Sequence, residues 1–163
     1  MMKYEVARPV PAAVQAGQTL LNVQGLDAWY GAARILRGVD LRVGRGEVVA
    51  LMGRNGAGKS TTLKAIMGLV KREARHLVFL DAAVGSLRPF EMARRGMGYV
   101  PEDRRVFTEL SVDENLSLGR LPSRRWPDGQ PAVNWSQDDL YELFPPLRPL
   151  RDRLAGNLSG GEQ

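Results

Sequence analysis

EVVALMGRNGAGKSTTLKAIM, residues Glu47–Met67, is the stretch on which the reading of the fold turns. It opens with Val48-Val49-Ala50-Leu51-Met52, an apolar run of strand length with two β-branched residues. Gly53-Arg54-Asn55-Gly56-Ala57-Gly58-Lys59-Ser60 follows and fits G-x-x-x-x-G-K-[ST] at every fixed position. Leu63, Ile66 and Met67 then recur at helical spacing, and Gly68 supplies the stop. Strand, glycine loop and helix therefore come in the order that a phosphate-binding loop requires. Glycine tolerates positive φ, which lets successive N–H groups turn toward one anion, and the helix N-terminus adds a partial positive charge. In such a loop Lys59 reaches the β- and γ-phosphates of a nucleoside triphosphate, and the Ser60 hydroxyl coordinates Mg²⁺.

The chain around this loop has 163 residues, the size of one ordinary domain. With 44% hydrophobic and 25% charged residues it has the balance of a folded globular protein. No apolar run approaches the ~18 residues of a membrane helix. The absence of cysteine excludes disulfide, thiolate and cysteine–zinc chemistry. Residues 1–18 have no leucine-rich core and carry Pro9 and Pro11, so they read as a poorly ordered tail rather than a signal peptide. The net charge of +5, mostly arginine, suits scattered solvated side chains and by itself selects no partner.

From Thr19 to Leu26 the chain reads as a strand, and Asp27-Ala28-Trp29-Tyr30-Gly31 reads as a turn carrying two exposed aromatics. Ile35–Val43 alternates as a half-buried strand does, and Gly44–Gly46 turns the chain into Val48–Met52. His76–Leu80 is a further strand, Pro89–Arg95 a short helix with proline in its first turn, and Met97–Val100 a short buried strand. His76, the chain's one histidine, is read as a structural residue of its strand. Ser111 and Glu114 form a capping box that starts a helix through Leu118. Residues 121–135 are a proline-rich surface insertion, and Ser136–Phe144 is another helix. At the end, Leu158-Ser159-Gly160-Gly161-Glu162-Gln163 holds a second S-x-x-E box with two glycines inside it, a second helix start able to present N–H groups to an anion.

LSGGEQ and GRNGAGKST together resemble the signature and Walker A motifs of ABC-type ATPases, over roughly Thr19 to Gln163. Trp29-Tyr30-Gly31, Leu36-Arg37-Gly38-Val39, Ala93-Arg94-Arg95-Gly96 and Gly98-Tyr99-Val100-Pro101-Glu102-Asp103-Arg104-Arg105-Val106-Phe107 look like an ATP-binding subunit of a branched-chain amino-acid importer. The resemblance implies an α/β P-loop core with an antiparallel β subdomain and a helical subdomain: tail 1–18, nucleotide-binding core 19–108, helical part 109–163. It implies that Tyr30 stacks on adenine, with Trp29 as the competing stacker, while Gly53, Arg54, Asn55, Gly56, Ala57, Gly58, Lys59, Ser60 and Thr61 hold the phosphates of ATP. It further implies that Ser60 and Glu102 attend Mg²⁺, and that Ser159, Gly160 and Gly161 bind the γ-phosphate held by a second such subunit, head to tail. Glu102 stands where most of the family has glutamine.

The implied partners are that second ATPase subunit, transmembrane permease subunits and, through them, a solute-binding protein, with the chain peripheral on the cytoplasmic face of the membrane and no nucleic acid involved. Alternatives are a urea or other small-solute importer, a nucleic-acid-acting relative, and a truncated nucleotide-binding product without turnover. The family's Walker B aspartate, general-base glutamate and switch histidine follow its signature, whereas this sequence stops at Gln163. The chain alone is therefore expected to bind nucleotide without completing hydrolysis, with Lys59 and Glu102 assisting. Glu47–Met52 is expected to be an apolar edge without a neighbouring strand, and the chain to be poorly soluble or molten.

Overall fold

A computed structural model describes residues 19–163 apart from Arg104, Leu121, Arg124 and residues 126–128; the expected tail at residues 1–18 lies outside the described residues. The described residues fall into two compact units, 19–99 and 100–163.

The first unit is built on one long strand. β1 (Thr19–Tyr30) forms an antiparallel hairpin with β2 (Ala33–Gly44), paired from Tyr30 opposite Ala33 to Thr19 opposite Gly44. On its other side β1 pairs with β3 (Lys71–Glu73) and β4 (His76–Phe79), and β5 (Ala82–Ala83) extends the sheet beyond β4. The hairpin register slips at bulges, where Gly25 and Gly38 take φ of 63° and 66°. The displaced N–H groups find side chains: Gly25 donates to Asp40 Oδ1 at 2.6 Å and Gly38 to Asp27 Oδ1 at 2.7 Å. Arg34 also donates to Asp27 Oδ1, and these contacts hold the Asp27 carboxyl below its usual range.

β1 corrects the expected turn over Asp27–Gly31. The strand runs on to Tyr30 and the turn is only Gly31–Ala32. The reason is β3, whose Lys71-Arg72-Glu73 has no strand-like pattern but pairs with Asp27–Trp29. Tertiary pairing here overrides local propensity.

One helix crosses this sheet. α1 (Lys59–Met67) starts at Gly58 and ends on Gly68, whose left-handed backbone closes it as read from sequence. Ala65, Ile66 and Met67 join Val23, Leu26, Ala28, Leu36, Leu77 and Val84 in the core, with Met92 of α2 (Pro89–Arg94). The expected strand Val48–Met52 forms no ladder: Val48 is 94% and Met52 89% exposed, and no described strand lies beside them. The expected buried strand Met97–Val100 is also absent, though Met97 and Tyr99 rest partly buried against the core.

The second unit opens at Val100, which is 92% exposed. α3 (Val112–Leu118) has both halves of its capping box: Glu114 N donates to Ser111 Oγ, and Ser111 N to Glu114 Oε2 at 2.7 Å. α4 (Gln137–Leu143) starts on Ser136 in the same way. The buried Tyr141 hydroxyl donates to Asp113 Oδ1 at 3.0 Å, tying α4 to α3, and burial pushes its pKa up to about 12. Short 3₁₀ turns at Pro145–Leu150 and Ala155–Asn157 follow. The described part of residues 121–135 is largely exposed and closed by a single bridge between Arg125 and Pro131.

Candidate phosphate-binding site

The loop Gly53–Gly58 uses its glycines as the motif requires. Gly53, Gly56 and Gly58 take φ of 148°, 82° and 90°, a region that side chains disfavour. Gly58 is required twice over, because a Cβ there would lie 2.8 Å from Leu36 Cδ2 of β2. That approach seats the start of α1 on the sheet. Thr62 N and Thr62 Oγ1 both donate to Gly58 O, at 2.8 and 2.9 Å, closing the first turn.

Among the described residues, Gly58, Lys59 and Ser60 make no backbone N–H bond to the protein, the usual condition of a helix start and the one that favours an anion. The Lys59 ammonium curls back over the loop, donating to Gly53 O at 2.8 Å and Arg54 O at 2.9 Å. Arg54, Asn55, Gly56, Ala57 and Ser60 are exposed, and Thr61 is buried. A cationic group bonded to the start of the loop and free N–H groups at its end suit a polyphosphate. No cluster of three or more His, Cys, Asp or Glu able to hold a metal occurs among the described residues. A site with one protein hydroxyl fits Mg²⁺, which keeps waters and takes phosphate oxygens for the rest of its shell.

Tyr30 belongs to the same unit, at the end of β1, and is 46% exposed. Its neighbour Trp29 is half-buried, with its register partners Arg34 and Lys71 leaning over the ring at 5.9 and 5.3 Å. Of the two aromatics, Tyr30 is the one with open surface. His76 sits exposed on β4 opposite Gln24.

The remaining expected residues belong to the second unit. Glu102 is exposed and, with Asp103, Arg105, Val106, Thr108 and Gln163, lines an open hollow of about 490 Å³. The expected helix at Ser159 is a single turn: Glu162 N and Gln163 N donate to Ser159 O, at 3.0 and 3.1 Å. Ser159 N donates to Glu162 Oε2 at 2.7 Å, holding that carboxyl below its usual range. Gly160 and Gly161 are exposed. The segment is seated from below, where Ala155 N donates to Leu110 O and Gly156 N to Thr108 O, and a Cβ on Gly156 would crowd Thr108 at 3.1 Å.

Sequence reasoning missed two residues that place the loop. Leu36 was legible as an inward position of an alternating strand and as part of the resemblance, but not as the residue on which Gly58 packs. Arg72, described below, carries no sequence signal.

The family model described as "ABC transporter" matches residues 36–163. The chain belongs to the ABC transporter family. It is 35% identical over 144 residues to the high-affinity branched-chain amino acid transport ATP-binding protein BraG of Pseudomonas aeruginosa, covering 88% of this chain and 60% of that one. It is 34% identical to the lipopolysaccharide export system ATP-binding protein LptB of Escherichia coli, over 88% of this chain and 58% of that one. A probable branched-chain amino acid transport ATP-binding protein LivF of Archaeoglobus fulgidus is 33% identical, with 88% and 59% covered. Among solved structures, an ATP-binding subunit of an ABC transporter superposes with a TM-score of 0.63 at 32% identity, over 88% of this chain and 57% of that one. An ATP-binding cassette in its ADP conformation gives 0.63 at 26% identity, over 89% and 61%. The chain thus spans about six-tenths of the length of these relatives, and its architecture is that of their α/β P-loop fold with the sheet left unclosed.

Proposed function

We propose that this chain binds Mg²⁺–ATP through Gly53–Thr61 as part of an ATP-driven membrane transporter. The observation that carries the reading is the loop itself: three glycines at positive φ, unpaired N–H groups at the helix start, and the Lys59 ammonium bonded back to Gly53 O and Arg54 O. Tyr30 offers the face for the base, and a ring stacked on a base contributes about 1–3 kcal/mol. Ser60 would hold Mg²⁺ by its hydroxyl, and the ion would supply charge neutralisation at the phosphates. Glu102, an exposed carboxylate of the second unit, is the further residue that would attend Mg²⁺. Ser159, Gly160 and Gly161 bind the γ-phosphate carried by a second ATPase subunit, and permease subunits hold the pair at the cytoplasmic face of the membrane. No described helix is long and apolar enough to cross that membrane.

The cargo we favour is branched-chain amino acids, delivered by a solute-binding protein, a reading supported by the likeness to BraG and LivF. The similar likeness to LptB favours a second reading, export of a lipopolysaccharide. Leucine uptake by vesicles carrying the cognate permeases separates the two.

Equilibrium binding of Mg²⁺–ATP tests the central claim. The chain is expected to bind, and Lys59→Ala to weaken binding about tenfold or more, since a bond to a charged phosphate is worth about 1.5–3 kcal/mol. A chain that binds no ATP, or a Lys59→Ala variant that binds as well, overturns it.

A further inference from the structure

Arg72 lies on β3 and is directed beneath the far end of α1. Its Nη1 donates to Ala65 O at 2.5 Å and to Ile66 O, both in the last turn of the helix. Its Nη2 donates to Val84 O at 3.0 Å and Leu87 O at 3.1 Å, and its Nε to Gly85 O at 3.3 Å. Five main-chain carbonyls therefore receive one guanidinium, with the positive charge at the negative end of the helix dipole. Only a planar fork with five donors spans such a set; an ammonium presents its donors from one point. Burial of the group lowers its pKa from the usual arginine value.

The position of Arg72 in the sheet gives these bonds a direction. Ala28 of β1 is fully buried and pairs with Leu36 of β2 on one side and Arg72 of β3 on the other. Leu36 packs on Gly58, where α1 begins, and Arg72 holds Ala65 and Ile66, where it ends. One row across three strands thus pins the helix at both ends. The row crosses β1 two residues before Tyr30.

We infer that Arg72 is a positioning residue for nucleotide, locking the helix that carries Lys59 and Ser60 to the strand that carries Tyr30, so that phosphates and base seat together. The inference rests on the reading of Gly53–Thr61 and Tyr30 as the nucleotide site. It predicts a division that loss of stability alone does not produce. ATP must satisfy both places at once, whereas inorganic tripolyphosphate touches only the loop. Misplacement of one subsite relative to the other removes the advantage of joining them and leaves each intact.

The test measures Mg²⁺-dependent binding of ATP and of inorganic tripolyphosphate to the full chain and to its Arg72→Lys and Arg72→Met variants, with circular dichroism as the check of folding. The expected result is that ATP binds about tenfold more weakly to both variants while tripolyphosphate binding changes less than about twofold. ATP binding unchanged in Arg72→Lys, or both ligands weakened equally, overturns the inference. Failure of both variants to fold also overturns it, because Arg72 is then a requirement of the fold alone. If the parent chain binds neither ligand, the phosphate-loop reading fails together with the inference; if it binds both, the variants judge Arg72 separately.

Discussion

β1 and Val48–Met52 are both apolar stretches of strand character in the same unit, and they end in opposite conditions. β1 has β2 on one side and β3 and β4 on the other, and its Val23, Leu26 and Ala28 are buried. Among the described residues Val48 and Met52 have no strand beside them, and they stand almost fully in solvent. Hydrophobic content does not separate the two. Removing apolar surface from water is worth about 25 cal/mol per Å², and that gain exists only where a second surface covers the first. The two S-x-x-E boxes repeat the lesson among helices. Ser111 and Glu114 satisfy one another's N–H groups and α3 follows, whereas Ser159 and Glu162 share one such bond above a single turn.

The sharpest probe of this contrast is truncation at matched positions. Leu26→Ala removes a side chain with 0% exposure from β1 and is expected to cost about 2–5 kcal/mol in urea unfolding. Val48→Ala, at a position 94% exposed, is expected to stay within about 0.5 kcal/mol. Equal losses would mean that Val48 is covered in solution and would break the comparison. A smaller effect separates the two boxes. Ser111→Ala removes a formed cap and is expected to destabilise the second unit by about 1 kcal/mol, read as a lower thermal midpoint. Ser159→Ala, with a single turn to support, is expected to leave that midpoint where it was. If it falls as far as with Ser111→Ala, the turn at Ser159 extends into a helix in solution.

What was legible in the sequence is what neighbours along the chain decide. The phosphate loop, α1 with its Gly68 cap, the β2 alternation, α2, the cap of α3 and the presence of α4 all follow from residues within a few positions of one another. The missed features depend on distant chain. β3 has only charged residues, yet it is a strand because β1 offers Asp27–Trp29 to it, and that pairing turns an expected turn into the last third of β1. The expected strands at Val48–Met52 and Met97–Val100 have the right composition and no described strand to pair with. At the candidate site, Lys59 and the glycines announce themselves by spacing. Leu36 and Arg72, which hold the two ends of α1, do so through contacts made across 22 residues and across six or seven.

The β1–β2 hairpin carries a consequence for the order of events in folding. Its contacts join residues three apart at Tyr30 and Ala33 and widen steadily outward, so each new pair closes only a small additional loop. Hairpins of this kind form in microseconds, and local topology favours speed. The hairpin is also complete in the chain before Gly58 is reached, so the Leu36 surface can exist when the glycine arrives to dock. Pulse-labelled hydrogen exchange during refolding is expected to protect the amides of Val23 and Leu41 before those of Ala65 and Ile66. In time as well as in space, the phosphate loop would then be the guest and the hairpin its host.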